Sequence, residues 1–298
     1  MKYTKDDVRL MLKGVKEKYY KPLPHREPYD DLYWKNEAMW LGDTSYLTMI
    51  PYKASQNGKT MYVKSDSFFL SPLMSFNKDY KEDTSDNIYQ TINDIHNYDF
   101  GGGHFLQRIQ RAMGFEPDLK PTTHFDIECN KFKNSVLINI EGHHYNHLTE
   151  QVAPIIQKYV DRNKNRFYFA ETWANRPLPY IDGIRHFQFN IINLIKEMSK
   201  FEYLIGFDSG LMHIASGLGI KSVIITDSHM GLKTDMLYLP REFSNPLLPG
   251  AYLYPQNVHL YMNDENELVK QFTLDNLERA IDGELYPYWS DDFLDIIF

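Results

Sequence analysis

The chain has 298 residues, of which 43% are hydrophobic and 24% charged, and it carries a net charge of −8 at pH 7. That is ordinary for a globular protein with ample core, enough for one large or two medium domains, and it argues against a chain built to coat nucleic acid. The single cysteine, Cys129, excludes an internal disulfide and fits a reducing cytoplasm, and no apolar run approaches the ~20 residues of a membrane span.

The N-terminus, MKYTKDDVRLMLKGVKEKYY, has no unbroken apolar segment, so no secretory signal is expected there. Residues 4–19 pattern as an amphipathic helix, with Thr4 and Asp7 at capping-box spacing and an apolar stripe from Val8 to Tyr19. PLPHREP (22–28) breaks it. A strand is expected at Ala38–Leu41, a helix over Thr44–Ser55 up to or around Pro51, and a second strand at Thr60–Val63 after an Asn-Gly turn. FGGGHFLQRIQRAMG (100–114) reads as a glycine turn, a helix and a glycine stop; it has neither the GxGxxG spacing nor the Lys-Ser/Thr of a phosphate loop. The polar, Pro-containing stretch 115–134 is the best linker in the chain.

After it come a buried strand, SVLINIEG, a helix over 147–160, the strand RFYFAETW, a Pro-rich loop (176–180) and a helix at Asn190–Lys200. A tight strand–helix–strand unit follows. Tyr203–Gly206 and Ser222–Ile225 are its strands, and Leu211, Ile214, Ala215 and Leu218 form one face of the helix between them. Gly219 sits where a helix end favours positive φ. The acidic, apolar end of the chain is expected to pack back on the body as a helix. Alternating strands and helices imply doubly wound parallel sheets, with ligands at the carboxyl ends of the strands.

The entry to that helix, Asp208-Ser209-Gly210, carries the chemistry. Asp208 and Ser209 are capping types, Gly210 admits close approach to the backbone, and the first helical N–H groups form an anion site. A well-capped structural helix is the plain alternative.

YLIGFDSGLMHIASGLGIKSVII resembles the signature of glycosyltransferase family 9, the ADP-heptose:lipopolysaccharide heptosyltransferases, which reads lvIGnDSGpmHlAaalGvPvv. LGDTSYLTMIPY…GKTMYVKSD is similar to that family's opening GDvllTtPal…ypda.I.vl, and RAMGFEPDLKPTTHFDIECNKFKNSVLINIEG to its passage from aLGl to vvlhpGa. The three matches cover roughly residues 38–228; residues 1–37 have no counterpart. The resemblance implies a GT-B fold: two Rossmann-like domains facing across a cleft, the first (38–133) holding the acceptor and the second (134–298) the nucleotide-sugar. Residues 1–37 would be a helical extension. It also implies an inverting transfer with no metal or other cofactor, and an ADP-sugar as the favoured donor.

In that framework Asp43 matches the family's catalytic aspartate and would take the acceptor proton. Gly42 and Thr44 would shape the loop around the transferred sugar. The amides of Ser209, Gly210, Leu211 and Met212, with the Ser209 hydroxyl, would grip the diphosphate while Asp208 braces the loop. His213 matches the family histidine and either touches phosphate or lies in the helix–strand interface. Where the family has Lys or Arg after the vvlhpGa strand, this chain has EGHHYNH, so Gly142 and His143 enter the candidate donor site with His144 beside them. Arg176, Arg185 and Lys233 are candidate replacements. Glu171 stands where such folds meet the base or ribose. His143 and His147 have the i, i+4 spacing of a metal pair, but no third ligand is evident nearby.

Three functions follow. The first is a glycosyltransferase acting on a bacterial surface glycan or glycolipid precursor, cytoplasmic or peripheral at the inner membrane face. The second keeps the donor site but glycosylates a hydroxylated DNA base, motivated by Lys53, Lys59, Lys64, Lys78 and Lys81 interleaved with Tyr62, Phe68, Phe69 and Phe76. The third is a GT-B nucleotide-binding or scaffold protein without turnover.

Overall fold

The computed structural model describes residues 31–36, 40–82, 90–91, 104–118, 120–140, 146–171, 181–187, 190–226, 254, 256–262 and 271–285. The expected N-terminal helix (4–19), the C-terminal tail (286–298), Gly142, His143, His144, Arg176 and Lys233 lie outside them.

The strands form two sheets in which all recorded pairings are parallel. The first contains β1 (Asp31–Asn36), β2 (Thr60–Ser65), β3 (Lys81–Glu82) and β4 (Gln90–Thr91), in the order β3-β2-β1-β4. The second contains β5 (Ser135–Asn139), β6 (Phe167–Glu171), β7 (Arg185–Phe187), β8 (Tyr203–Phe207), β9 (Lys221–Thr226) and β10 (Val258–Tyr261), in the order β10-β9-β8-β5-β6-β7. In the second sheet the chain runs outward from β5 to β7, then returns to β8 on β5's other side. That is the doubly wound Rossmann order, and the reversal between β5 and β8 opens a crevice at their carboxyl ends. The first sheet repeats the scheme, with β1 between β2 and β4.

Two expectations are corrected at the start of the chain. The first described strand is Asp31–Asn36; of the strand expected at Ala38–Leu41, residues 38 and 39 lie outside the described residues and Leu41 opens helix α1 (Leu41–Tyr46). The first sheet therefore draws on residues assigned to the 1–37 extension. The helix expected over Thr44–Ser55 is two helices, α1 and α2 (Met49–Gln56), parted at Leu47-Thr48. There the Ser45 hydroxyl bonds to Gly42 O and the Thr48 hydroxyl to Ser45 O, local side-chain bonds that compete with a continuous ladder. Pro51 falls in the first turn of α2, where its missing N–H costs nothing.

The later helices are α3 (Leu70–Met74), α4 (Phe105–Ala112), α5 (Asn146–Arg162), α6 (Ile191–Met198), α7 (Gly210–Gly217) and α8 (Leu274–Ile281). His104 caps α4 in a reciprocal box with Gln107, and Gly114 follows that helix at φ 79°. Gly219 takes φ 60° after α7, as its position requires.

Strand alternation sorts the second sheet's side chains into two cores. Val136, Ile138, Ile205, Val223 and Ile225 pack with residues of α5 and α8. Leu137, Leu204 and Ile224 point the other way, into a core shared with α6, α7 and the helices of the first half: Leu41, Tyr46, Leu70 and Leu73 join Ile195, Met198, Leu211 and Met212. Helix α1 packs on α7, and α3 on α6. The stretch 115–134 is extended but is no free linker. Thr123 Oγ1 donates to His213 O (2.5 Å), Asp126 N to Phe76 O (2.6 Å) and Phe132 N to Lys200 O (2.8 Å), while Phe125 is buried in the shared core.

At the crevice, β5 and β8 approach so closely that a Cβ on Gly206 would lie 2.5 Å from the carbonyl oxygen of Asn139. Gly206→Ala should therefore destabilise the protein by about 2–4 kcal/mol. Gly219→Ala, which strains one turn without a clash, should cost about 1 kcal/mol. Urea unfolding of both variants checks the order; equal losses would show that the β5–β8 spacing is not the tighter constraint.

Candidate functional site

Two strand ends and two helix starts meet at one place. β8 ends at Phe207, and Asp208-Ser209 leads into α7; after β1, Trp40 leads into α1. The two helices begin against each other. A Cβ on Gly42 would stand 3.0 Å from His213 Cδ2 and 3.8 Å from Gly210 Cα, and one on Gly210 would stand 2.9 Å from Leu41 Cδ2. Glycine at both positions is what allows the two starts to touch. Asp43 follows Gly42 in the first turn of α1, at the helix start that meets the Gly210 turn.

Ser209 is the N-cap residue of α7 by its backbone (φ −149°, ψ 172°), yet its side chain does not cap the helix. Its hydroxyl lies 3.3 Å from Asn139 Oδ1 and donates to it. That bond joins the carboxyl ends of β5 and β8 at the topological switch point. The first-turn N–H groups of α7 are thus left uncapped by Ser209, at the positive end of the helix dipole. One side of the turn is covered: Leu41 lies on Gly210, while the side chains of Leu211 and Met212 are buried. Asp208, Ser209 and Gly210 remain half-buried.

Burial sets the charge states. It raises the carboxyl of Asp43 above the ordinary carboxylate range, partly offset by a hydrogen bond from Asp43's own backbone. It pushes Asp208 up to about 7. Among the described residues no hydrogen bond to the Asp208 carboxylate is found, and the Ser209–Asn139 bond ties the turn to β5.

His213 lies inside the contact between the halves. Its Nε2 is 3.4 Å from the Tyr46 hydroxyl and its Nδ1 3.1 Å from the Tyr254 hydroxyl. A neutral imidazole has one donor and one acceptor nitrogen, so one tyrosine gives a proton to the ring and the other receives one. Burial lowers its pKa to about 3, so the ring is neutral in the ligand-free protein, where it lies in the contact between the halves. Tyr254, held well above its usual pKa by burial and by the Asp208 charge, also packs against the His104 ring (4.3 Å between centroids).

The other expected residues fall around this centre. Thr44 is fully buried, its hydroxyl 2.8 Å from Trp40 O and 2.9 Å from Ser67 Oγ, so it acts inside the loop and not on its surface. Glu171 ends β6, next to β5 on the carboxyl edge. Arg185 opens β7 opposite Phe169, below that edge. Of the expected Lys and aromatic patch, Phe69 and Phe76 are core residues and Lys53 pairs with Asp118 at 2.6 Å, which removes part of a nucleic-acid face. His147 is exposed on α5, and among the described residues no group of three or more His, Cys, Asp or Glu side chains could hold a metal. No helix there is long and apolar enough to cross a membrane. Asn139, Tyr46 and Tyr254 were missed. An Asn inside the apolar strand SVLIN was a readable signal; the two tyrosines gave none.

No protein-family model matches the sequence, and no curated protein matches it significantly. Among solved structures, the E. coli heptosyltransferase WaaC with ADP is similar over 85% of this chain and 99% of its own, with a TM-score of 0.56 at 7% identity. A glycosyl transferase family 9 protein from Veillonella parvula is similar over 86% and 97%, with a TM-score of 0.56 at 12% identity. The iron-containing dodecameric glycosyltransferase TibC from enterotoxigenic E. coli is similar over 87% and 77%, with a TM-score of 0.53 at 12% identity. The chain therefore has the α/β, GT-B type of fold that these heptosyltransferases share, two Rossmann-like parallel-sheet units in contact.

Proposed function

We propose that the protein is an inverting, metal-independent glycosyltransferase that moves a sugar from a nucleoside-diphosphate donor to an acceptor hydroxyl, as part of a bacterial surface glycan or its precursor. The observation that carries this reading is the contact between Gly42 and the Gly210 turn, which joins the start of α1, with half-buried Asp43 in its first turn, to a helix start at a Rossmann switch point. Asp43 is the general base for the acceptor hydroxyl, and its raised pKa makes it a stronger base than an exposed aspartate. The amides of Ser209, Gly210, Leu211 and Met212 stabilise the charge that grows on the departing diphosphate.

Asp208 fits the same scheme. A carboxylate facing phosphate oxygens would repel them, but a carboxyl titrating near 7 holds its proton part of the time and can donate a hydrogen bond. His213, neutral between two tyrosines, supports the helix start from beneath. Gly142, His143 and Glu171 belong to the proposed donor side. The likeness in fold to WaaC with ADP supports an adenine nucleotide as the first donor to try. The acidic balance of the chain counts against a DNA acceptor.

A thermal-shift panel of ADP-, UDP- and GDP-sugars tests the donor site. A true donor at ~100 times its Kd should add about 2.7 kcal/mol of stability. With that donor, Asp43→Asn should lower turnover by about 10²- to 10⁴-fold and leave nucleotide affinity within about twofold. The wild-type kcat/KM should fall as pH drops through the raised pKa of Asp43. A panel without response, or an Asp43→Asn variant with full turnover, would overturn the reading.

Asp208 also predicts a pH dependence of stability. Its folded pKa, about 7, is raised above the ordinary 3.8, so its contribution is fully present below pH 3.8 and is lost as pH rises through 7. The ligand-free protein should lose on the order of 2–4 kcal/mol between pH 4 and pH 8, and Asp208→Asn should remove most of that slope in urea titrations. An unchanged slope would show that the carboxyl is not held protonated by burial.

A further inference from the structure

Two of the exposed large hydrophobic side chains, Trp40 (65% exposed) and Phe68 (71%), stand on adjacent loops at the carboxyl edge of the first sheet. Trp40, with extended backbone, is the N-cap residue of α1, three residues before Asp43. Phe68 lies in the loop that follows β2, the neighbour of β1. Thr44 ties the loops together through Trp40 O and Ser67 Oγ, and Ser67 Oγ in turn accepts from Phe69 N (3.3 Å). The Phe68 ring is braced from below by buried Phe69, with ring centroids 3.9 Å apart. The Phe68 ring and the Trp40 backbone are therefore held on an ordered support, which lowers the entropy lost on binding.

We propose that Trp40 and Phe68 form the platform that holds the acceptor beside Asp43, and that the acceptor is a neutral, hydroxyl-rich glycan whose C–H faces lie on the two rings. The proposal rests on the glycosyltransferase reading of Asp43 and deepens it. The choice of glycan over nucleic acid follows from charge. The chain's net charge is −8, and half-buried Asp43, three residues after Trp40, and exposed Asp66, two residues before Phe68, can accept hydrogen bonds from sugar hydroxyls and would repel a phosphodiester backbone. Phe132 (61%) and Phe167 (65%) are comparably exposed but lie at the amino end of the second sheet, away from Asp43, and so serve as an internal control.

The test is binding of the full-length protein to an array of immobilised bacterial and neutral oligosaccharides, with oligothymidylate and phosphatidylglycerol vesicles as further probes. Wild type should bind at least one neutral glycan; Trp40→Ala and Phe68→Ala should each weaken that binding by about tenfold, and Phe167→Ala should leave it unchanged. Circular dichroism confirms the fold of each variant. The platform is overturned if no glycan binds, if both aromatic variants bind as wild type does, or if oligothymidylate or vesicles are the preferred ligands. The stabilisation of wild type by a nucleotide-sugar reads the donor site separately: a donor response without a platform effect rejects the platform alone, while glycan binding that needs both aromatics without any donor response rejects the transferase reading.

Discussion

The arrangement depends on two helix starts pressed together with nothing but glycine between them. Gly42 leaves room for the His213 ring, and Gly210 leaves room for Leu41. A methyl group at Gly210 would meet the body of a buried leucine at 2.9 Å, and no flexible tip is available to yield. The Gly-Asp and Asp-Ser-Gly motifs, about 165 residues apart in the chain, thus answer a single steric demand.

Electrostatically the contact is layered. At the bottom, His213 is neutral and engaged by two tyrosine hydroxyls, so the interface buries polar groups in pairs and carries no net charge. Above it lie Asp43 and Asp208, whose carboxyls are both raised by burial. Ser209 turns away from the helix it would ordinarily cap and bonds Asn139 instead. That bond holds β5 to β8 and leaves the first-turn amides of α7 without a cap from Ser209.

Much of this was legible in the sequence because local signals agree with the fold. The β8–α7–β9 unit combines two apolar strands, a 3.6-residue stripe and a terminal glycine, and its extent is read to within a residue or two. β1 was misplaced because DLYWKN mixes charge and aromatic residues and shows no apolar run, while Ala38–Leu41 looks more like a strand and leads into a helix. β7, at three residues, and β10, at four, are too short to announce themselves. Within the site, motif residues were readable and their supports were not. Tyr254 reaches His213 from 41 residues away, and Tyr46 from 167, by tertiary contact that no periodicity encodes.

The shared core also limits how a ligand can enter. Leu41, Leu73, Leu211 and Met212 are among the buried residues where the halves meet, and each would be exposed if α1 left α7 and α3 left α6. Exposing four such side chains costs about 6–12 kcal/mol, as much as the whole stability of an ordinary domain. The stretch 120–134 adds hydrogen bonds to both halves, from Thr123 to α7 and from Asp126 to the loop after α3. Wide separation of the lobes would therefore be costly. On the proposed reading, a donor would reach the Ser209 amides along the carboxyl edge of the second sheet and an acceptor would reach Asp43 along that of the first, the two routes converging where the glycines hold the helix starts together.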